Sequence, residues 1–119
     1  DYALEASGRH PGRFAVMGRI ALRDPAAPAQ LAAWRSQPGM LGVRITFLGP
    51  TEKWLEDGTA DWFWPAAERA GIPVMLLAAE KGPALARIAE RHPRLALILD
   101  HMGLMTGVVR AGRTASAID

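Results

Sequence analysis

The chain of 119 residues contains no cysteine. Disulfide frameworks and thiolate metal sites are therefore excluded, and a reducing, cytoplasmic setting is expected. No apolar run approaches the roughly 18–20 residues of a membrane span. The polar opening DYALEASGRHPG lacks the basic-then-apolar pattern of a signal peptide. No membrane partner is expected. Charge of one sign is also scarce: 14 Lys and Arg stand against 12 Asp and Glu, a formal charge of +2. Arg9, Arg13, Arg19, Arg23 and Arg35 are spread among acids and apolar residues, whereas a nucleic-acid binder shows a basic stripe with interleaved aromatics. No nucleic-acid partner is expected either. The G-x-S-x-G elbow, the phosphate loop, the H-E-x-x-H zinc motif and the glycine fingerprint of dinucleotide-binding folds are all missing.

What is present is ordinary globular material, 50% hydrophobic and 22% charged, in a length that fits one domain over residues 1–119 on a prior of about 100–200 residues per domain. Four short apolar segments bounded by Gly or Pro read as strands: FAVMGRI (14–20), GVRITFL (42–48), IPVMLLA (72–78) and LALILDH (95–101). Helical signals fill the intervals. DYALEASGR precedes the first strand, and Asp24-Pro25 opens a helix that stops near Gln37-Pro38-Gly39. Asp61 precedes WFWPAAERA, with Gly71 placed to cap it, and Gly82-Pro83 opens PALARIAER, which stops at His92-Pro93. The order is α-β-α-β-α-β-α-β. Continuously apolar strands alternating with helices predict an α/β fold with a parallel, helix-covered sheet. The echo of RHPGRFAV (9–16) in RHPRLAL (91–97) fits a repeated helix-to-strand turn, which makes His10 and His92 turn residues.

One connection, LGPTEKWLEDGTAD (48–61), exceeds the roughly 2–6 residues usual for such loops. It follows a strand's C-terminal end, where ligands bind in open α/β sheets and in barrels. Its Trp54, with Trp62, Phe63 and Trp64, either walls a pocket or anchors the loop to the core.

Side-chain alternation sorts the polar residues of the strands. Val43, Ile45 and Phe47 face the helices, which turns Arg44 and Thr46 to the opposite, interior face. An Arg there pairs with an acid from another strand or binds an anionic ligand. Arg19 and His101 are expected at strand ends on the mouth side. In LALILDH the alternation groups His101 with Leu95, Leu97 and Leu99, which sends Asp100 to the helix layer. A lone strand-end histidine is either structural or catalytic. Cations beside it would favour the neutral imidazole that accepts a proton or a metal.

The stretches HPGRFAVMGRIAL, PGMLGVRITFLGP, WPAAERAGIPVMLLA and LARIAERHPRLALILDHMG resemble the amidohydrolase-related (amidohydrolase 2) family over nearly the whole chain. The resemblance implies a TIM-like (β/α)₈ barrel. The four βα units would be its third to sixth strands, a partial barrel of parallel strands. It implies a hydrolase that acts on a small, carboxylated substrate of lactone or amide type by water activation. In character the match is closest to the 2-pyrone-4,6-dicarboxylate lactonase-like members. His101 is matched to the sixth-strand histidine as catalytic residue, and Arg44 to the G-x-R arginine that binds a substrate carboxylate. Arg19 and Thr46 join as substrate-binding residues by position.

Metal-dependent members carry a histidine ligand at the end of the fifth strand, where this sequence has Leu77, Ala78 and Ala79. A divalent metal is thus possible for the superfamily, but no ligand is assigned to one here. The first-strand His-x-His and the eighth-strand Asp of the family have no counterpart, so the chain reads as a fragment. Alone it is expected to be inactive and to associate through its open sheet edges. A different class fits the same residues: a non-catalytic α/β anion-binding or assembly module.

Overall fold

The computed structural model describes residues 2–104. Four helices, α1 (Tyr2–Arg9), α2 (Ala27–Ala32), α3 (Phe63–Ala70) and α4 (Gly82–Arg91), alternate with four strands, β1 (Val16–Gly18), β2 (Met40–Thr46), β3 (Val74–Leu77) and β4 (Leu97–Leu99). Every strand pair is parallel and the spatial order is β1-β2-β3-β4. A doubly wound sheet reverses its strand order part-way across, whereas a barrel adds each strand beside the last. Four sequential parallel strands with their helices are the α/β architecture of a partial TIM-type barrel.

Each expected helix and strand is present, most of them shorter than their signals. α2 gives way to a tight 3₁₀ turn at Trp34–Ser36, where the Ser36 hydroxyl donates to the Ala33 carbonyl and competes with the helix ladder. Upstream, the Asp24 carboxylate accepts the Ala26 N–H at 2.8 Å, so it organises the turn before α2 rather than the helix itself. α3 ends as expected: Gly71 takes the left-handed conformation (φ 62°) and donates its N–H back to Ala67 and Glu68, a cap that glycine adopts without steric cost. α4 stops at His92, ahead of Pro93. His92 Nδ1 lies 3.3 Å from Glu68 Oε2. The Arg94 backbone N–H, then His92, hold the Glu68 carboxyl below the usual range. That contact ties α3 to the chain entering β4.

The core lies between the sheet and the helices. β2 supplies Val43 and Ile45, with Phe47 just after it, and β3 supplies Val74 and Leu76. From α3 come Phe63, Trp64 and Ala67, and from α4 Ala84, Leu85 and Ile88. Phe63 is fully buried and Trp64 nearly so, at 0% and 3% exposure. Their rings pack edge to face at 5.3 Å, with Phe47 6.2 Å from Trp64, in the geometry aromatic pairs prefer. These two aromatics therefore anchor the long connection. Trp62 does the same by donating its indole N–H to the Leu22 carbonyl at 3.1 Å.

Gly42 sets how closely β2 and β3 approach. A methyl group there would sit 2.4 Å from the Pro73 carbonyl oxygen and 2.7 Å from the Met17 side chain, and the backbone oxygen cannot swing aside. Gly42→Ala is expected to lower unfolding stability by about 1–3 kcal/mol through overpacking. Gly8→Ala in α1, with no atom within 4 Å of the added methyl, is expected to gain up to about 0.5–1 kcal/mol from helix propensity. Urea denaturation midpoints of the two variants check both signs.

Candidate functional site

Parallel strands deliver all their C-terminal ends to one edge of the sheet, and the residues there form a mouth. Arg19 follows β1, Thr46 closes β2, Leu77 closes β3, and Asp100 and His101 follow β4. Three of the four site residues expected from sequence come together: Arg19, Arg44 and Thr46 line a cavity of about 320 Å³, walled also by Ile20, Leu22 and Trp54. Trp54 is thus pocket wall as well as anchor. Arg23 lies 5.6 Å over its ring, a cation–π contact that steadies the indole.

The connections around the mouth are tied to one another. Thr51 Oγ donates to the Thr46 carbonyl at 2.8 Å and accepts from the Leu48 N–H, which folds the start of the long connection back onto β2. Lys81 Nζ reaches Glu52 at 3.0 Å and Glu56 at 3.2 Å. Those two hydrogen bonds hold its ammonium above the usual lysine pKa. The Glu80 N–H donates to the Gly103 carbonyl at 3.2 Å, joining the segments that follow β3 and β4. Glu80 adopts φ 59° to do so.

Asp100 is the centre of the polar arrangement, and here the alternation reading is corrected. Arg44 Nε donates to Asp100 Oδ2 at 3.2 Å, and Arg44 Nη2 donates to the same oxygen. Asp100 Oδ1 accepts the His101 backbone N–H at 3.0 Å and lies 3.6 Å from His101 Nε2. Asp100 therefore points to the face of Arg44, not to the helix layer. His101 lies outside the cavity lining, with 63% of its side chain exposed.

The cause is register. Leu97 sits beside Val74, which sits beside Val43, and Leu99 beside Leu76 and Ile45. Residues side by side in a parallel ladder point the same way, so Leu97 and Leu99 take the helix side. Ile98 falls in line with Met75 and Arg44, and Asp100, two residues on, shares that face. Beyond Leu99 the strand ends, and His101 and Met102 adopt left-handed φ of 51° and 53°. Alternation no longer governs them.

Sequence reasoning missed Asp100 as a site residue. Both parities of LALIL are apolar, so its face is settled only by the pairing of β4 with β3. Arg44 realises the first of its two expected options, a partner acid from another part of the sheet.

The donor set at this edge does not suit a divalent cation. The end of β3 offers Leu77 followed by Ala78 and Ala79, and the Asp100 carboxylate is occupied by a guanidinium. Among the described residues no three His, Asp or Glu side chains are grouped to hold a metal.

The fold and the mouth define a class: a barrel-type parallel α/β protein with a polar cluster and a small cavity at the C-terminal edge of its strands. Comparison with protein families then makes the assignment. The profile described as Amidohydrolase matches residues 1–116, and the chain belongs to that family. Membership supports a hydrolase. A search of curated proteins finds no match to the sequence. No helix among the described residues is long and apolar enough to cross a membrane.

The hydrogen bond from Arg44, above all, holds the Asp100 carboxyl below the ordinary value of 3.8; the charges of His101 and Arg44 act in the same direction. A carboxyl whose folded pKa is depressed contributes stability that is complete above its unfolded pKa and is lost as pH falls through the folded one. Stability is therefore expected to drop on acidification below about pH 4, and Asp100→Asn should make that limb shallower, with Glu68 keeping part of it, while leaving the neutral-to-alkaline limb in place. Chemical denaturation between pH 2 and pH 7 measures it.

Proposed function

We propose that the mouth binds a small anionic substrate, carboxylated and of lactone or amide type, for hydrolysis by an activated water. The observation carrying this reading is that Arg19, Arg44 and Thr46 share one cavity at the catalytic edge of a barrel-type sheet. The Arg19 guanidinium in a cavity with apolar walls suits a carboxylate. Arg44, already paired with Asp100, keeps donors for a neighbouring oxygen, and the Thr46 hydroxyl can donate or accept beside them. His101 stands next to the cluster through Asp100. With Asp100 facing Nε2, the imidazole tautomer protonated there leaves Nδ1 free to accept a proton.

In the reaction, water gives a proton to the His101 imidazole while its oxygen bonds to the substrate carbonyl carbon. The tetrahedral adduct then breaks its C–O or C–N bond. The departing oxygen or nitrogen takes the proton from the imidazolium. Asp100 Oδ1, 3.6 Å from Nε2, is the carboxylate oxygen that faces the ring. No step is routed through a metal, because the described donor set does not hold one.

The setting is a cytoplasmic one with neither nucleic acid nor membrane as partner. Among the described residues β1 and β4 each pair on one side only, so activity belongs to a form in which both edges are covered, in a longer polypeptide or a homo-oligomer. The same arginines serve equally in a non-catalytic anion-binding module. What favours that second reading is the exposure of His101 outside the cavity.

Kinetics of the edge-paired form on carboxylated lactones and amides separate the two. His101→Asn is expected to lower kcat about 10²-fold or more with KM little changed. Arg19→Ala is expected to raise KM about tenfold or more for carboxylated substrates and far less for neutral ones. An unchanged KM discards the arginine role. Anion binding without turnover, and without any effect of His101→Asn, leaves the binding module.

A further inference from the structure

Two arginines line the cavity, but they do not present two free charges. Both Nε and Nη2 of Arg44 are spent on Asp100 Oδ2, and the two side chains are only 25% and 22% exposed. Arg19 is different. Among the described residues it has no hydrogen bond or ion pair, and it stands exposed at the end of β1. Of the cations near the mouth, Arg23 lies over the Trp54 ring and Lys81 between Glu52 and Glu56, and Lys53 is not part of the cavity lining. The cavity thus offers one uncompensated positive charge, set against the apolar walls of Ile20, Leu22 and Trp54.

We infer that Asp100 is a specificity-determining residue that restricts this site to monocarboxylates, received by Arg19. The inference rests on the anion-site reading above and deepens it. A second carboxylate brought to Arg44 meets the Asp100 carboxylate on the same guanidinium. Like charges sharing one counter-ion repel, and discrimination of this kind works by building a penalty against the wrong ligand. The Nη1 donors of Arg44 remain, and they suit an uncharged acceptor such as the carbonyl of an ester or amide. The site then takes one ionised carboxylate and one neutral carbonyl. This is a different substrate class from the dicarboxylates of the lactonase-like members.

Benzoate and isophthalate test this directly, titrated at neutral pH into isotopically labelled protein while the arginine Nε–H signals are followed by NMR. Benzoate is expected to shift the Arg19 signal, and isophthalate to bind no more tightly than benzoate. Arg19→Gln should weaken benzoate about tenfold or more. Asp100→Asn frees the Arg44 charge and should tighten isophthalate by a similar factor. Should that variant fail to fold, the monomethyl ester of isophthalate should bind the parent protein more tightly than isophthalate, and the reverse order overturns the inference.

Isophthalate binding tenfold tighter than benzoate to the parent protein, with the Arg19 signal shifting, overturns the inference and leaves the anion site standing. Unchanged benzoate affinity in Arg19→Gln overturns the role of Arg19. If neither acid moves the signals of Arg19 or Arg44 at tens of millimolar, the anion-site reading falls and takes the inference with it.

Discussion

In a parallel ladder, residues held side by side point to the same face, and that constraint arranges everything else in this protein. β2 sits between β1 and β3 and carries the clearest alternation, with Val43, Ile45 and Phe47 buried to 0–6% exposure under the helices. Burying an aliphatic or aromatic side chain of this kind contributes about 1.5–3 kcal/mol each. That outweighs what a partly exposed ion pair adds at the mouth. The apolar face therefore chooses the register, and the polar face receives whatever the register leaves it. Arg44 lies in the second group. Its meeting with Asp100, 56 residues along the chain, is a consequence of how Val43, Val74 and Leu97 align.

The same constraint sends every strand end to one edge, so short segments from distant parts of the sequence become neighbours there. Hydrogen bonds and ion pairs then hold them in mutual position: Thr51 to the end of β2, Lys81 to Glu52 and Glu56, Glu80 to Gly103. None of these contacts builds the core. They fix the spacing between groups that the core has already delivered, which is the condition for a site to discriminate among ligands. Charge is distributed accordingly. The paired cations steady loops or walls, and Arg19 is left facing the cavity.

How much of this was legible in the sequence depended on contrast. GVRITF alternates apolar with polar residues, so the faces of β2 could be read directly. The ends of α3 and α4 could be read from Gly71 and from His92-Pro93, because the left-handed cap and the proline act locally. LALIL offers no contrast, since residues of both parities are apolar. Its helix-facing set is settled only by pairing with β3, a long-range contact that no local window contains. The assignment of Asp100 failed for that reason. For Trp54 the two readings proposed for it turned out to be compatible, because a side chain packed against the core can still present one edge to a cavity.

His101 shows where strand logic stops altogether. After Leu99 the backbone leaves the extended region, and two consecutive non-glycine residues take left-handed φ, a conformation that costs of order 1 kcal/mol per residue. Such strain persists when neighbours over-determine it, and two contacts do so here. Asp100 Oδ1 accepts the His101 N–H, and the Gly103 carbonyl accepts the Glu80 N–H. The first begins the turn and the second closes it against the segment after β3. Asp100 thus binds Arg44 with one oxygen and shapes the turn that carries His101 with the other. A single carboxylate touches both the candidate anion site and the turn that carries the candidate base. The aspartate that alternation had sent to the helix layer is the residue that joins Arg44 to the turn after β4.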